Sequence, residues 1–475
     1  MATRWISASR VARLLGDTGW ASPAYQDLAE RLRLLIVDGR IGHGSRLPSE
    51  RDLATELGLS RSTVAAGYAE LRDRGYAEAR RGSGNYAIAG TAHSAGLLGT
   101  EGPTDGLIEF NRAAPQATPG LLLAYERTTE QLPGLLGSTG YEPQGVTALR
   151  EAIADRFAQR GLPTDPDQIL VTSGALSALA VLARCLLSRG DRVLVDAPTY
   201  PNAMDAFRQH GARLVAQPLG ADGWDPEATE LLVRQTSPRL AYLVPEFHNP
   251  TARLMPEPAR AALREVFRTQ RVTMIIDETM VELALDDPAA MPPPMAAGAA
   301  DAITVGSASK AFWGGLRVGW IRAPRSLIRP LVQSRVALDL GTAPLEQLVT
   351  AGLLRDPATL LELQRDRLAE QRDWLISELA ERLPGWTCER PAGGLSLWIT
   401  LPREVSSRLA GNADRYGLQL TPGGQFFPDG GGERMLRLPY TLPIDTLTVA
   451  VDRLTELWAD VASGPVSPGR LSLTA

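Results

Sequence analysis

The sequence predicts a multidomain α/β protein in which a small helical head precedes a large domain built on a mainly parallel sheet. Its 475 residues exceed what one hydrophobic core usually supports, so two or more domains are expected. Beyond the head, short apolar runs alternate with amphipathic helical segments, a pattern typical of a parallel sheet covered by helices on both faces. Longer helices and then GLSLWITL and RMLRLPYT follow, which indicates a smaller C-terminal subdomain.

Changes in composition divide the chain into five segments. We expect an N-terminal extension at 1–23, the head at 24–89, a linker at 90–107, the large domain at 108–462 and a frayed tail at 463–475. The linker is rich in glycine and has no hydrophobic period, as flexible connections do.

Composition predicts a soluble cytoplasmic protein. Hydrophobic residues make up 44% and charged residues 22%, no apolar run has the length of a membrane span, and the first residues do not form a secretory signal. Cys185 and Cys388 lie far apart without metal-ligand spacing, so neither a disulfide nor a metal is expected. Because the net charge is −5, any basic surface for nucleic acid has to be local.

Lys310 is the only lysine in the chain, beside 48 arginines. Arginine can replace lysine in ion pairs and phosphate contacts, but its guanidinium cannot act as an amine nucleophile. The surviving lysine is therefore either accidental or chemically irreplaceable, and the count alone favours neither.

The head shows the order helix, helix, turn, helix, hairpin. Its first helix is AYQDLAERLRLLIVDGR, which has an apolar stripe. Ser49 is placed to cap the next helix, ERDLATEL, and Gly58 closes it. The turn GLS leads into RSTVAAGYAELRDRG, whose first turn holds Arg61, Ser62 and Thr63. This is the arrangement of a helix-turn-helix, in which that end of the second helix meets base edges.

Two strand-like runs at 76–81 and 85–88 flank the turn GSG, with Arg80 and Arg81 at the tip. A basic hairpin of this kind suits a phosphate backbone or a minor groove. The alternative is a small helical module that only packs on its neighbour, since residues 21–90 hold ten arginines and nine acids.

The run LPSERDLATELGLSRSTVAAGYAELRDRGY, followed by RRGSGNY, resembles the winged helix-turn-helix of the GntR family along its whole length. The resemblance implies operator DNA as a partner. It carries DNA contact onto Arg51, Arg61, Ser62, Thr63, Arg80, Arg81 and Gly82. One departure is Ala65, where some members have a further arginine.

The segment GSASKAFWGGLRVGW resembles the lysine signature of class I aminotransferases of fold type I, and similar motifs continue from about residue 110 to 454. The resemblance implies pyridoxal phosphate bound as a Schiff base to Lys310. It also implies that Ser307 and Ser309 donate to the phosphate and that Arg317 binds it bidentately. An exposed surface charge is the alternative for the lysine.

A carboxylate is expected at Asp277, which ends the apolar run VTMIID. A buried ionised acid is costly unless it is paired, and a protonated pyridine nitrogen is a suitable partner. The family places its pyridine-pairing aspartate at this point. The alternative is an acid that caps a helix or binds another side chain.

The turn in TSGALSALAVLA is a candidate phosphate cradle, because a strand there runs into a helix through Ser173, Gly174 and Ala175. Backbone N–H groups at a helix start suit an anion, and glycine permits close approach. Such turns are common, so the motif gains weight only beside Lys310 and Arg317.

Three further residues take roles from the resemblance. Tyr200, in DAPTYPNA, falls where the family stacks a ring on the cofactor, and Asn249, in EFHNPTARLMP, where it donates to the phenolic oxygen. Arg437, in RMLRLPYT, resembles the arginine that binds the α-carboxylate of an amino acid. The alternatives are ordinary loop residues for the first two and a structural ion pair for the arginine.

Two departures concern catalysis. Thr279 stands where the family usually has a tyrosine, and it reaches less far toward the phenolic oxygen. Ala252 replaces the common glycine after NPT. Neither change prevents cofactor binding, but both argue against efficient transamination. At most weak or partial transamination is therefore expected.

The combination of a GntR-type head and an aminotransferase-like body resembles the MocR family of regulators over nearly the whole chain. The resemblance implies a transcription regulator whose body senses pyridoxal phosphate, or an amine or amino-acid effector, and which forms a head-to-tail homodimer. The main alternative is a metabolic aminotransferase with a vestigial head. A regulator that has lost its cofactor is the third possibility.

Overall fold

The computed structural model describes residues 5–15, 19–37, 41, 44–80, 84–88, 106–220 and 222–463. The chain forms two compact units, one of Met1–Thr104 with Ala117–Gly134 and one of Asp105–Gln116 with Leu135–Ala475. Most of the predicted linker, the tail from residue 464, and Arg81 and Gly82 lie outside the described residues. Within the described part of the chain, no helix is long and apolar enough to span a membrane.

The first unit contains a helix-turn-helix and a hairpin. Its elements are α1 (Ala8–Leu15), α2 (Ala24–Val37), α3 (Glu50–Leu57), α4 (Arg61–Asp73), β1 (Ala77–Arg80), β2 (Gly84–Ala87) and α5 (Leu121–Thr129). The Ser49 side chain caps α3 by accepting from the Asp52 N–H, and Gly58 ends it in the left-handed conformation. Ser60 caps α4 in the same way, and β1 and β2 pair antiparallel. The predicted head architecture is confirmed.

The second helix of the motif, α4, is fixed by its apolar face. Val64, Tyr68 and Leu71 are fully buried. The Tyr68 hydroxyl donates to the carbonyl of Pro48 at 2.9 Å. A Cβ on Gly67 would lie 3.2 Å from Leu28 of α2, so the two helices pack closely there. The first turn of α4 is left facing solvent.

Residues 1–23, for which the sequence suggested no regular element, include α1. This helix buries Ala8 and Val11 in the core of the head. Before it, Trp5 pairs with Arg46, and Arg46 pairs in turn with Tyr86 of β2. The N-terminal segment is therefore part of the folded head.

A longer series of elements follows α5. It runs α6 (Leu132–Leu135), α7 (Thr147–Gln159), β3 (Ile169–Thr172), α8 (Ala175–Leu186), β4 (Arg192–Ala197), α9 (Pro201–Gln209), β5 (Arg213–Pro218), α10 (Pro226–Thr236), β6 (Leu240–Leu243), α11 (Glu257–Gln270), β7 (Thr273–Asp277), β8 (Ile303–Ser307), α12 (Ala308–Ala311), β9 (Gly319–Arg322), α13 (Arg325–Val336), α14 (Pro344–Arg355), α15 (Ala358–Arg382), β10 (Ser396–Thr400), α16 (Ser406–Asn412), β11 (Thr421–Pro422), β12 (Met435–Pro439) and α17 (Ile444–Ser463).

Seven of these strands form the main sheet, in the order β3-β9-β8-β7-β6-β4-β5. Six of the seven strands run in one direction, and β9, between β3 and β8, runs in the opposite direction, so the predicted mainly parallel sheet is confirmed. Leu194, Ile275 and Val305 in central strands have no exposed surface, as expected for a sheet covered on both faces. The carboxyl ends of β7 and β8 lie side by side, and a site is expected at that edge.

The C-terminal part forms a second core, as the sequence predicted. The strands β10, β12 and β11 form an antiparallel sheet in that order. Leu397 and Leu436 from this sheet pack with Leu368 of α15 and Leu454 of α17. This sheet carries Arg437 on its middle strand.

Candidate functional site

Lys310 lies in α12, directly after the carboxyl end of β8, and is half-buried. Its Nζ donates to the backbone carbonyl of Ala113 at 2.7 Å. Burial, helped by the charges of Arg437 and Arg317, lowers the pKa of the amine to about 8, while Asp277 opposes this shift. The neutral, nucleophilic form of the amine therefore becomes the major form above about pH 8, well below the pH at which an ordinary lysine loses its proton.

Asp277 is the last residue of β7 and is buried. The Tyr242 hydroxyl donates to one carboxylate oxygen at 2.7 Å, and the Thr279 N–H donates to the other at 3.0 Å. Burial raises the pKa of the carboxyl, and these donors oppose that rise. No helix begins at this residue, so it is not a helix cap. A cation beside it would favour the ionised form.

Sequence reasoning missed Tyr242. It lies in the middle of a fully buried strand, LAYL, and has no exposed surface. A hydroxyl in such a position needs a hydrogen-bond partner, so a tyrosine in this apolar run was an available signal. This signal did not indicate which strand carries the hydrogen-bond partner of the tyrosine hydroxyl.

The turn between β3 and α8 forms a narrow cradle with the segment after Lys310. Gly174 has φ +94°, and a Cβ there would lie 2.9 Å from the guanidinium of Arg317. The Arg317 guanidinium donates to the carbonyl of Ser173 at 3.0 Å. A Cβ on Gly319 would lie 2.6 Å from the backbone of Gly174. The three predicted phosphate-binding residues 173–175 and Arg317 are therefore brought together.

The two serines before the lysine differ in what they offer a ligand. Ser307 Oγ donates to the carbonyl of Val318 at 3.2 Å and accepts from the Ser309 N–H at 3.1 Å. Ser309 Oγ is buried and has no hydrogen-bond partner among the described residues. Ser309 is thus the serine with a hydroxyl proton to donate, while that of Ser307 is already engaged.

Arg437 is buried and faces the same region. It donates to the side-chain oxygen of Asn249 at 3.2 Å and to the carbonyl of Asn111 at 2.5 Å, and it stacks 5.0 Å over Phe426. Burial lowers its pKa to about 10, which the nearby Tyr200 opposes. No carboxylate of the described residues pairs with it, so the ion-pair alternative is not supported. Its Nε has no partner there either.

Tyr200 precedes α9 and is half-buried, with its hydroxyl accepting from Asn202 at 3.0 Å. Burial raises the pKa of the Tyr200 hydroxyl, and the negative charge of Asp277 raises it further. Ala252, the replacement for glycine, is buried with φ +56°. An alanine in that left-handed conformation costs about 1 kcal/mol, so the loop after Asn249 is strained.

In the head, the predicted DNA-contact residues lie mostly on the surface. Arg61 and Ser62 are exposed at the start of α4, and Thr63 is half-buried. Arg61 makes a loose ion pair with Glu50, at 3.4 Å. Arg51 is also exposed. Arg80 pairs with Glu78 and lies over the ring of Tyr86.

These groups fit pyridoxal phosphate. The amine of Lys310 suits its aldehyde, and the buried carboxylate of Asp277 suits a protonated pyridine nitrogen. The unpartnered hydroxyl of Ser309 and the cradle at Gly174 and Arg317 suit its phosphate.

We expect the rate at which apoprotein takes up pyridoxal phosphate to rise about tenfold per pH unit and to level off near pH 8, because only the neutral amine of Lys310 attacks an aldehyde. The growth of visible absorbance after mixing measures this rate. A lysine acetylated on its α-amine, with a side-chain pKa of about 10.4, serves as the control. A protein rate that keeps rising to about pH 10, as the control does, would contradict the lowered pKa.

Two family models match the chain. "Aminotransferase class I and II" matches residues 137–454, and "Bacterial regulatory proteins, gntR family" matches residues 24–86.

Relatives of both kinds are found. The HTH-type transcriptional regulator YisV of Bacillus subtilis (strain 168) is 29% identical over 88% of this chain and 92% of its own length. The 2-aminoadipate transaminase of Thermus thermophilus is 33% identical over 66% of this chain and 80% of its own. The crystal structure of LysN, an α-aminoadipate aminotransferase of the same organism complexed with N-(5'-phosphopyridoxyl)-L-leucine, has a TM-score of 0.68 at 30% identity, covering 76% of this chain and 94% of that one.

Proposed function

Because the chain belongs to the aminotransferase class I and II family and carries a gntR-family head, we propose that it is a transcription regulator whose body senses pyridoxal phosphate together with an amine or amino acid. The observation that supports the proposal is that one chain has a helix-turn-helix and, around its only lysine, a set of groups that fit pyridoxal phosphate. This is the MocR-type combination predicted from the sequence. In bound form the cofactor supplies an electrophilic aldehyde and an electron sink.

The body's residues have separate roles in the proposal. Lys310 supplies the amine, and Asp277 holds the proton on the pyridine nitrogen, with Tyr242 fixing the carboxylate from the neighbouring strand. The proposed cofactor-binding residues are Ser173, Gly174, Ala175, Tyr200, Asn249, Asp277, Ser307, Ser309, Lys310 and Arg317. The proposed DNA-binding residues are Arg51, Arg61, Ser62, Thr63, Arg80, Arg81 and Gly82.

A carboxylate effector is favoured by Arg437. Its buried guanidinium is balanced only by neutral oxygens of Asn249 and Asn111 among its hydrogen-bond acceptors in the described residues. A ligand carboxylate would replace them with a charge-assisted bidentate contact, which is stronger. An amino acid offers both that carboxylate and an amine for the cofactor.

Regulation requires that ligands bind two arrangements of the protein with different affinity, since equal binding shifts no population. We propose that the protein acts in the cytoplasm as a head-to-tail homodimer on paired DNA half-sites. Binding of the cofactor and the effector to the aminotransferase-like body would then favour one spacing of the two heads, and this would change the affinity for the operator.

Gel-shift measurements on DNA upstream of the gene, with and without pyridoxal phosphate and single amino acids, test this function. The proposal predicts a shift whose midpoint moves with these ligands. It fails if no DNA is bound, or if the midpoint is unchanged while the cofactor is loaded.

A metabolic aminotransferase with a vestigial head is the second candidate, and the identity to a transaminase favours it. Thr279, which replaces the tyrosine usual in the family, argues for slow turnover. Repeated turnover of an amino acid with a keto acid, unaffected by removing residues 1–89, would establish this candidate instead.

For Arg437→Ala we expect effector affinity to fall by about 2–3 kcal/mol, on the order of 30–150-fold, because a charged hydrogen-bonded pair is lost. The measurement is the amino-acid concentration needed to move the gel-shift midpoint. Cofactor absorbance and DNA binding without effector should stay as in the wild type.

Arg434→Ala is the matched control, since Arg434 lies just before the same strand and donates only to the carbonyls of Leu401 and Pro402 among the described residues. An unchanged effector response in Arg437→Ala would remove that arginine from the proposed site.

A further inference from the structure

Four arginines of the head carry charges that no carboxylate of the described residues neutralises. Arg10 and Arg13 lie in α1, Arg46 in the segment that pairs with Tyr86, and Arg51 in the first turn of α3. All four arginines are exposed. Within the described part of the head, none of them forms an ion pair.

Elsewhere in the head the arginine charges are mostly paired. The pairs are Arg31–Asp27, Arg33–Glu30, Arg61–Glu50, Arg74–Glu70 and Arg80–Glu78. Ten arginines and nine acids in residues 21–90 nearly cancel in number. Among the described residues of the head, however, unpaired arginines remain in α1, at Arg46 and in the first turn of α3. Exposed and unpaired positive charges attract anions locally even where the net charge is small.

The helix α1 is unusual among the helices of the head, because ASRVARLL contains two arginines and no acid. Arg10 and Arg13 are three residues apart and so share one face. Ala8 and Val11 are buried against the head core. The two charges are thus presented to solvent from an anchored helix. This helix lies outside residues 24–86, which match the gntR family model.

The N-terminal segment is connected to both elements that flank α4, the recognition helix of the motif: to the hairpin through Arg46, and to α3 through α1. Trp5 pairs with Arg46, which pairs with Tyr86 of the hairpin. The Arg46 guanidinium lies over the start of β2, 3.3 Å from where a Cβ on Gly84 would sit. A few residues later, α1 packs on α3, whose first turn carries Arg51. In winged helix-turn-helix proteins, such flanking elements lie near the DNA backbone.

We propose that Arg10 and Arg13 of α1 bind DNA phosphates and, with Arg46 and Arg51, extend the DNA-binding surface beyond the recognition helix and the hairpin. The proposal rests on the DNA-binding function proposed above. Contacts of this kind release counterions from DNA and add affinity without reading sequence. The expected partner of this face is therefore any DNA duplex.

The test uses the full chain and the double variant Arg10→Ala/Arg13→Ala. Fluorescence anisotropy measures Kd for a random-sequence duplex and for DNA upstream of the gene, over a series of salt concentrations. Loss of two phosphate contacts should reduce the slope of log Kd against log salt by about 2. Affinity for both duplexes should fall by the same factor. Alanine favours helices, so α1 should persist and the thermal midpoint should not change.

Two further variants separate contact from overall charge. Arg10→Lys/Arg13→Lys keeps both charges and should keep the slope, since lysine also binds phosphate as a point charge. Arg234→Ala/Arg268→Ala removes two charges from exposed pairs in the second unit and should leave the slope unchanged.

The outcomes distinguish this inference from the proposed function. If the wild type binds no DNA, the proposed function fails and takes this inference with it. If the wild type binds with its usual salt dependence and Arg10→Ala/Arg13→Ala has the same slope, the function stands and this inference alone is overturned. An equal loss of slope in Arg234→Ala/Arg268→Ala would also overturn it.

Discussion

Lys310→Ala is expected to abolish covalent attachment of pyridoxal phosphate and, with it, every cofactor-dependent change in DNA affinity. The physical reason is that the chain has no other lysine, so no neighbouring side-chain amine can replace it. The measurements are the visible absorbance of the purified protein after incubation with pyridoxal phosphate and the gel-shift midpoint with and without the cofactor.

Lys310→Arg is the matched control for charge, because it keeps a positive group at this position but offers no amine. It should behave as Lys310→Ala in both assays. DNA affinity without cofactor should remain within about twofold of the wild type for both, since the head folds around its own core. A cofactor response that survives in either variant would show that sensing does not need the covalent bond.

Arg61→Ala is expected to weaken operator binding by about 1–3 kcal/mol, on the order of 5–150-fold, with a much smaller loss on random DNA. Arg61 is exposed at the start of α4, where side chains of a recognition helix reach base edges. Its only ion pair within the described residues is the loose one with Glu50, so little has to be broken before it contacts DNA. Titrations of both duplexes by fluorescence anisotropy measure the effect.

Arg33→Ala is a suitable control, because Arg33 belongs to the same unit but is held by Glu30 in α2. It should leave operator affinity near the wild-type value. Loss of cofactor binding in Arg61→Ala would contradict independent roles for the head and the body. Equal losses on operator and random DNA would assign Arg61 to the phosphate backbone instead of the bases.

Local signals in the sequence were enough to predict most of the head. Ser49 and Gly58 mark the ends of α3 because capping depends only on neighbouring residues. The helix α1 was missed, since its apolar stripe is short and is stabilised by burial of Val11 in the head core. An eight-residue helix has little stability by itself, so tertiary packing decides whether it forms.

In the candidate cofactor site, too, local motifs predicted some residues, whereas contacts between distant segments could not be predicted. Motifs around Lys310 and Asp277 led to the candidate site residues, because Asp277 ends one apolar strand and Lys310 follows closely after another, and both strands are visible in the sequence. Their partners, the Ala113 carbonyl for Lys310 and the Tyr242 hydroxyl for Asp277, were not identified, since hydrogen bonds between distant segments depend on how the folded chain brings those segments together. The engagement of Ser307 with the Val318 carbonyl also needed the folded geometry.

The free charge of the head could not be predicted from composition. A count of residues gave weak support for DNA binding, because it treats paired and unpaired arginines alike. The folded head separates them, with Arg31 held by Asp27 and Arg51 unpaired within the described residues. Which arginines are free to meet phosphate is a property of the packed helices, not of composition.

The most direct test of the central claim is borohydride reduction of the full-length protein loaded with pyridoxal phosphate, followed by peptide mapping with mass spectrometry. We predict one phosphopyridoxyl group per chain, on the peptide that contains Lys310. A label confined to the N-terminal amine, or the absence of any label on a protein that retains visible absorbance, would contradict the account.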